Sequence, residues 1–196
     1  MLVVALVAIF GLAAWRELRP GREPLPVLAI VPDFSLTERN GDSFGIADLR
    51  GTLWVADFIF TRCGGTCPIM TTNMREIQRA LLERGYGDVK LVSFTVDPQY
   101  DTPEVLRTFA EGYGARAGVW YFITGPGESI QALATKGFRL SAATGEAGTD
   151  DGIVHSIRFV LVDRQGQIRA YYEGTNESVI PHLLEDIKHL RAEAHS

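Results

Sequence analysis

Two cysteines, Cys63 and Cys67, are the residues of this chain whose type and spacing are best suited to chemistry. They are the only cysteines in the sequence, and Gly64, Gly65 and Thr66 separate them. Two thiols at this spacing can close a disulfide when oxidised. When reduced, they can hold a soft metal ion such as Cu(I) or zinc between two thiolates. The spacing alone leaves both possibilities open.

The predicted surroundings of the cysteine pair favour a chemical role. Residues 53–60 form an almost continuous apolar run, typical of a strand buried on both faces, and a helical pattern begins at Pro68. The pair therefore lies where a strand ends and a helix begins, which is where open α/β sheets place their sites. Because a helix N-terminus favours negative charge, we expect a lowered pKa at Cys67 and at Cys63, with Arg62 acting in the same direction.

A third metal ligand would have to come from one of the four histidines. His155 directly precedes a predicted strand at 156–162, whereas His182 and His189 lie on the final predicted helix and His195 is close to the C-terminus. We predict that His182 and His189 face solvent. His155 is the candidate ligand, although only the fold can bring it to the cysteines.

Three other residues could belong to a site. Met70 and Met74 are soft sulfur donors, but their helical spacing with Ile77 favours packing in the core. Asp97 follows a predicted strand, and we favour a turn that leads into a helix capped by Thr102. A position at the mouth of the site is the functional alternative for Asp97.

The order of the predicted elements indicates the fold class. A hairpin with Asn-Gly at its turn comes first, strands and helices then alternate, and a second hairpin and a helix follow. This order predicts an α/β fold with a central mixed β-sheet flanked by helices and an N-terminal β-hairpin. The predicted strands are 33–37, 43–46, 53–60, 90–96, 119–124, 156–162 and 167–172, the helices are 68–83, one from 103, 127–136 and 178–191, and 47–51 and 141–152 are a turn and a polar loop.

The N-terminal segment predicts a relation to a membrane. Residues 1–15 carry no charged side chain, but fifteen helical residues span only about 22 Å of a roughly 30 Å hydrocarbon core. We interpret 1–19 as a membrane anchor or signal segment, 20–32 as a proline-rich linker and 33–196 as the domain. The positive charges after the apolar run leave a cytoplasmic domain open as an alternative.

The composition is that of a globular protein, with 46% hydrophobic and 22% charged residues. The formal net charge of −5 argues against nucleic acid as a partner, because phosphate binding needs clustered Lys and Arg.

Three motifs, taken together and in this order, resemble the Sco/SenC family. F-x-F-T-x-C-x-x-x-C-P occupies 58–68 and T-V-D-P-x-x-D-T-P occupies 95–103. V-H-S follows at 154–156, ahead of V-D-x-x-G at 162–166. The resemblance runs from about Pro32 to Leu190 and implies a thioredoxin-like fold.

The resemblance also implies a function. It implies copper, as Cu(I) or Cu(II), bound by Cys63, Cys67 and His155 and delivered to the CuA centre of cytochrome c oxidase. The partners would be the oxidase subunit that carries this centre, and another copper chaperone or a thiol reductase. The domain would be tethered to the cell membrane by a single N-terminal anchor and face the periplasm or another extracytoplasmic space. Val154 departs from the Asp that many members have there, as Gly-Gly-Thr does from their bulkier or acidic residues.

A metal-free alternative needs only the two cysteines. As a thiol–disulfide oxidoreductase, the protein would keep the cysteines of a partner reduced, with Cys63 and Cys67 as a redox-active pair. A peroxidase and a copper sensor are two further hypotheses for the function of this cysteine motif.

Overall fold

The computed structural model describes residues 23–140 and 156–193 of the chain. Within these residues, eight strands form one mixed sheet. The strands are β1 Ala29–Ile30, β2 Ser35–Glu38, β3 Ser43–Gly45, β4 Trp54–Ile59, β5 Lys90–Thr95, β6 Trp120–Thr124, β7 Arg158–Val162 and β8 Gln167–Glu173.

The strands lie side by side in the order β1-β8-β7-β4-β5-β6-β2-β3. β4, β5 and β6 run parallel, and every other neighbouring pair is antiparallel. The mixed sheet confirms the predicted α/β fold, with parallel strands where strands and helices alternate and antiparallel strands in the late hairpin. The hairpin of β2 and β3 confirms the N-terminal hairpin that the Asn-Gly turn predicts.

Helices cover both faces of this sheet. In the described part of the chain, none of them is long and apolar enough to cross a membrane. The helical segments are α1 Ile46–Leu49, α2 Cys67–Glu83, α3 Pro103–Gly112, α4 Gly127–Ala132, a π-helical turn Leu133–Gly137, a 3₁₀ turn Glu177–Val179 and α5 Ile180–Glu193.

Strand β4 is the centre of the core because both of its faces are buried. Its side chains alternate between two apolar layers, as a pleated strand requires. Trp54 and Phe58 point into a layer that contains Phe138, which follows the π-helical turn. Val55 and Ile59 point into the opposite layer, which is covered by α2, α3 and α5. We call this second layer the cysteine-side layer, because Cys67 belongs to it.

Three elements differ from the sequence prediction because each is too short or too irregular to show the hydrophobic period of a strand or a helix in the sequence. β1 lies inside the segment predicted as a linker, where Leu28 donates its main-chain N–H to the Ile168 carbonyl at 2.8 Å. α1 replaces part of a predicted turn, and Asp48 accepts from the Gly45 main chain at 2.8 Å. The helix predicted at 127–136 changes into a π-helical turn after α4.

Several predictions concern the remaining residues, 1–22, 141–155 and 194–196. The apolar segment 1–19, the polar loop 141–152, His155 and His195 lie outside the described residues. The domain boundary at 33 therefore stays a prediction.

Candidate dithiol site

The two cysteines lie on the short connection between β4 and α2. β4 ends at Ile59, and the Cys63 main-chain N–H donates to the Phe60 carbonyl at 3.2 Å, which closes a turn. Cys67 is the first residue of α2, and Pro68 lies in the first turn, where its missing N–H has no helical acceptor. The pair thus lies between a strand end and a helix start, as the sequence predicts.

The two thiols, both free, differ in burial. Cys67 is 7% exposed and belongs to the cysteine-side layer together with Met70 and Met74. Both methionines are fully buried, which confirms their prediction as core residues. Cys63 is only half-buried. One sulfur is therefore accessible to a partner while the other is held inside the protein.

The surroundings of Cys63 lower the pKa of its thiol. Burial raises this pKa, but hydrogen bonds from the main chain and thiol of Cys67 and from the main chains of Gly65 and Thr66 outweigh it. Cys63 is therefore the first of the two thiols to ionise, as expected of the reactive member of a dithiol.

Cys67 behaves in the opposite way, which corrects our expectation of a lowered pKa. Burial raises the pKa of this thiol to about 12. A hydrogen bond with the main chain of Phe60 opposes the rise, whereas the nearby Cys63 and Asp57 add to it. Desolvation thus exceeds the favourable field of the helix N-terminus.

Arg62 is paired with a carboxylate rather than acting on the thiols. Its Nη2 donates to Asp97 Oδ2 at 2.5 Å, and its guanidinium carbon lies 4.2 Å from the centre of the Tyr100 ring. Arg62 is not among the main groups that shift the pKa of Cys63. Asp97 therefore lies beside the cysteine connection, and it also forms the predicted turn, because Tyr100 donates its main-chain N–H to the Asp97 carbonyl at 3.1 Å.

Asp57 is a buried carboxyl that the sequence analysis did not single out. It is 0% exposed, and neither of its oxygens has a hydrogen-bond partner among the described residues. Alternation with Val55 and Ile59 places it on the cysteine-side layer. Burial raises its pKa to about 7, and the neighbouring Ser93 hydroxyl opposes the rise. An acidic residue inside an otherwise apolar strand was the signal that could have found it.

Asp101 was also missed, and it contacts the chain just before Cys63. Its carboxylate accepts from the Thr61 main-chain N–H at 3.1 Å and from the Thr61 hydroxyl at 2.5 Å. Asp101 directly precedes Thr102, the N-cap of α3, whose hydroxyl accepts from Val105 at 3.4 Å as predicted. The helix-cap motif therefore also holds the chain at Thr61, a contact that spacing along the chain does not reveal.

The two described histidines, His182 and His189, both lie on α5. His182 is exposed, which confirms its predicted position. His189 is instead half-buried, with Nε2 3.2 Å from Glu193 Oε1. No group of three or more His, Cys, Asp or Glu side chains within 23–140 and 156–193 is arranged to hold a metal ion.

After residue 140, the described chain resumes at Ser156, the residue that follows His155. Ser156 is 8% exposed, and Ile157 packs in the cysteine-side layer with Cys63 and Cys67. β7 then runs antiparallel to β4, with Val160 opposite Ala56. The start of β7 therefore lies at the end of the sheet where β4 leads to the cysteines.

Comparison with known proteins gives a consistent result. A family model described as SCO1/SenC matches residues 23–191. The SCO1 protein homolog of Bacillus subtilis is 33% identical over 159 residues, which is 81% of each chain. A putative copper-binding protein of Stutzerimonas stutzeri is 30% identical and aligns over 83% of this chain and 80% of its own.

Solved structures agree with these sequence matches. A SCO1/SenC family lipoprotein of Bacillus anthracis has 33% identity and a TM-score of 0.77, covering 87% of this chain and 98% of its own. BsSco, described as a cytochrome c oxidase assembly protein with a disulfide switch, has 32% identity and a TM-score of 0.74. The match covers 85% of this chain and 96% of BsSco.

Proposed function

This chain belongs to the SCO1/SenC family, and from that membership we propose that it is a copper chaperone. Cys63, Cys67 and His155 bind the copper ion, and the protein delivers it to the CuA centre of cytochrome c oxidase. The observation that carries the proposal is the paired free thiols of unequal burial at the end of β4.

The donor set fits copper as a transported ion. Two thiolates are soft ligands, which select Cu(I) over hard cations such as Mg²⁺ and Ca²⁺. A carrier also has to release its ion, and the half-buried Cys63 leaves one side of the site open to ligands of a partner. Cys67, which is 7% exposed, would hold the ion from the protein side.

The position of β7 supports His155 as the third ligand. Ile157, two residues after this histidine, packs in the cysteine-side layer with both cysteines. A neutral imidazole would complete a three-coordinate site without adding charge. The family resemblance implies His155 as a ligand, and this histidine shortly precedes β7, the strand that pairs with β4.

Copper uptake would release protons, chiefly from Cys67. Its pKa of about 12 means that this thiol is protonated at neutral pH in the copper-free protein. Because the metal binds the thiolate, protons compete with copper, and the affinity falls as the pH is lowered.

The N-terminal segment would tether the domain to the cell membrane on its extracytoplasmic side. The support is the uncharged run of residues 1–15, together with the Bacillus anthracis relative described as a lipoprotein. An oxidase embedded in the same membrane would then be within reach of the site.

The test is an anaerobic titration in which the protein competes with a chelator for Cu(I). We expect His155→Ala to weaken Cu(I) binding at least tenfold and each cysteine-to-alanine variant to weaken it further. His182→Ala is the matched control, because His182 is exposed on α5, and it should bind like the unmodified protein. Equal binding by His155→Ala and the unmodified protein contradicts the third-ligand role.

A second candidate function is thiol–disulfide exchange with a partner. The opposite pKa shifts of Cys63 and Cys67 favour it, because the half-buried Cys63 ionises more readily and attacks the partner's disulfide, and the buried Cys67 then gives up its proton and resolves the mixed disulfide. The reduction potential discriminates between the two functions. A potential far below that of the compartment would leave too little dithiol to carry copper.

A further inference from the structure

The turn that presents Cys63 is held by one neighbouring loop. We call residues 60–63 the Cys63 turn and residues 97–101, between β5 and α3, the 97–101 loop. Thr61 and Arg62 are the two central residues of the turn, and each contacts this loop. The sequence places these segments far apart, and only the parallel pairing of β4 with β5 brings them together.

Asp101 makes the buried part of this contact. Its carboxylate accepts from the Thr61 main-chain N–H at 3.1 Å, from the Thr61 hydroxyl at 2.5 Å and from the Thr95 hydroxyl at 2.5 Å. It is 0% exposed. Hydrogen bonds to a charged group contribute more to stability than those between neutral groups. The β4–β5 ladder ends at the pair Ile59 and Thr95. Beyond this pair, the hydrogen bonds of Asp101 join the two chain segments.

Arg62 and Asp97 make the outer part of the contact, which is weaker. The Arg62 side chain is 56% exposed, and ion pairs at such positions contribute little to stability because solvent screens them. The stability of the Cys63 turn therefore depends mainly on Asp101.

Cys67 is held by a different element. It begins α2, its carbonyl accepts from the Thr71 hydroxyl at 2.8 Å, and its side chain packs in the cysteine-side layer. The separation of the two sulfurs consequently depends on two anchors, α2 for Cys67 and the 97–101 loop for the Cys63 turn, in addition to the hydrogen bonds that Cys63 accepts from Cys67, Gly65 and Thr66.

We propose that Asp101 is a positioning residue that holds Cys63 at the distance from Cys67 needed for the chemistry of the pair. The proposal rests on the proposed function for its copper part. Copper binding and disulfide formation both require two sulfurs held close together, and a looser Cys63 lowers the effective concentration of one thiol at the other.

Asp101→Asn is the informative substitution because it keeps the shape and removes one acceptor. An amide offers one oxygen where the carboxylate offers two, so the three donors from Thr61 and Thr95 cannot all be retained. A donor that loses its acceptor in a buried place seeks another one, which loosens the turn.

The first measurement is the equilibrium of the dithiol with glutathione. Each reaction consumes one glutathione disulfide, oxidises Cys63 and Cys67 to a disulfide with the loss of two hydrogen atoms, and yields two molecules of reduced glutathione. For Asp101→Asn we expect an equilibrium constant about tenfold lower than that of the unmodified protein. The Cu(I) affinity should fall by a similar factor, about 1.4 kcal/mol.

Asp163→Asn is the matched control. Asp163 is 3% exposed and accepts from Gln165, Gln167 and Arg169, each at 2.9 Å. It follows β7 at the opposite end of the sheet. This variant should lose at least as much stability to urea as Asp101→Asn, but should keep the dithiol equilibrium within twofold of the unmodified value.

Thr61→Val provides a milder variant that keeps the carboxylate, and it decides the question even if Asp101→Asn does not fold. We expect a fall of about threefold in the equilibrium constant. In the double variant the two effects should not add, because both substitutions remove the same contact. An equilibrium constant unchanged in Asp101→Asn or in Thr61→Val, or lowered equally in Asp163→Asn, overturns the proposal.

Because the glutathione equilibrium needs no copper, a protein that fails to bind Cu(I) refutes the proposed function and leaves the positioning role of Asp101 open to this test.

Discussion

Cys63 and Cys67 have the same side chain, but their surroundings make them chemically different. Hydrogen bonds lower the pKa of the half-buried Cys63, whereas burial raises the pKa of Cys67 to about 12. The thiolate is the nucleophile in thiol chemistry, so reactivity follows both ionisation and exposure. At neutral pH, Cys63 is therefore the thiol that a partner or an alkylating reagent meets first.

Single-cysteine variants test this difference directly. We expect the Cys67→Ser variant, which retains Cys63, to react with iodoacetamide at pH 7 at least ten times faster than the Cys63→Ser variant. Mass spectrometry of quenched samples gives both rates. Equal rates would show that burial does not separate the two thiols.

The sequence located the residues of the pair but not their individual properties. Gly-Gly-Thr between two cysteines, after a strand and before Pro68, was enough to predict the site. It predicted a lowered pKa at both thiols, because the helix N-terminus and Arg62 were the influences visible along the chain. Cys67 belongs to a layer formed by β4, α2, α3 and α5, and no local pattern shows that these elements pack together.

At the scale of the elements, β4 combines a fully buried position with an acidic side chain. All six of its residues are buried, yet one of them is Asp57. Burial raises the pKa of this carboxyl from 3.8 to about 7, so the folded protein holds a proton that the unfolded chain releases. Asp57 therefore makes the stability of the fold depend on pH.

The sign of this dependence follows from the raised pKa. The contribution of Asp57 to stability is greatest below about pH 4, where this carboxyl is protonated in both the folded and the unfolded state, and it falls as the pH rises to about 7. The slope approaches about 1.4 kcal/mol per pH unit within this window.

Urea unfolding of Asp57→Asn between pH 5 and pH 8 tests this dependence. The variant lacks the titrating group, so its free energy of unfolding should exceed that of the unmodified protein increasingly as the pH rises. A difference between the two proteins that stays constant with pH would contradict the buried, protonated carboxyl.

The longer elements could be predicted from the sequence and the short ones could not. β4 and α2 have enough residues for a continuous apolar run or a helical period to appear. β1 has two residues and is formed only because β8 offers it hydrogen-bond partners. The π-helical turn after α4 depends on the place of Phe138 in the core, which is a tertiary requirement.

For the molecule as a whole, topology explains why distant motifs act together. β4 lies between β5 and β7, so the chain that follows β5 and the chain that precedes β7 both approach the end of β4. The first supplies Asp97 and Asp101, and the second follows His155. Two motifs that are separated along the sequence, and the start of the strand that follows the third, thus lie at one end of the sheet.

This arrangement could be only partly predicted. The motif at 95–103 was interpreted as a turn and a helix cap, which is correct but omits the contact between Asp101 and Thr61. Such a contact joins residues forty positions apart in the chain. Only the order of strands in the sheet determines it, and propensity carries no information about that order.

The central claim is that two sulfurs and one imidazole nitrogen meet at a single copper ion. X-ray absorption at the copper edge of the anaerobically loaded Cu(I) protein measures the ligands directly. The account predicts two sulfur neighbours and one nitrogen neighbour, with the nitrogen lost in His155→Ala and one sulfur lost in Cys63→Ser. A spectrum that is identical with and without His155, or that shows no sulfur neighbour, would contradict it.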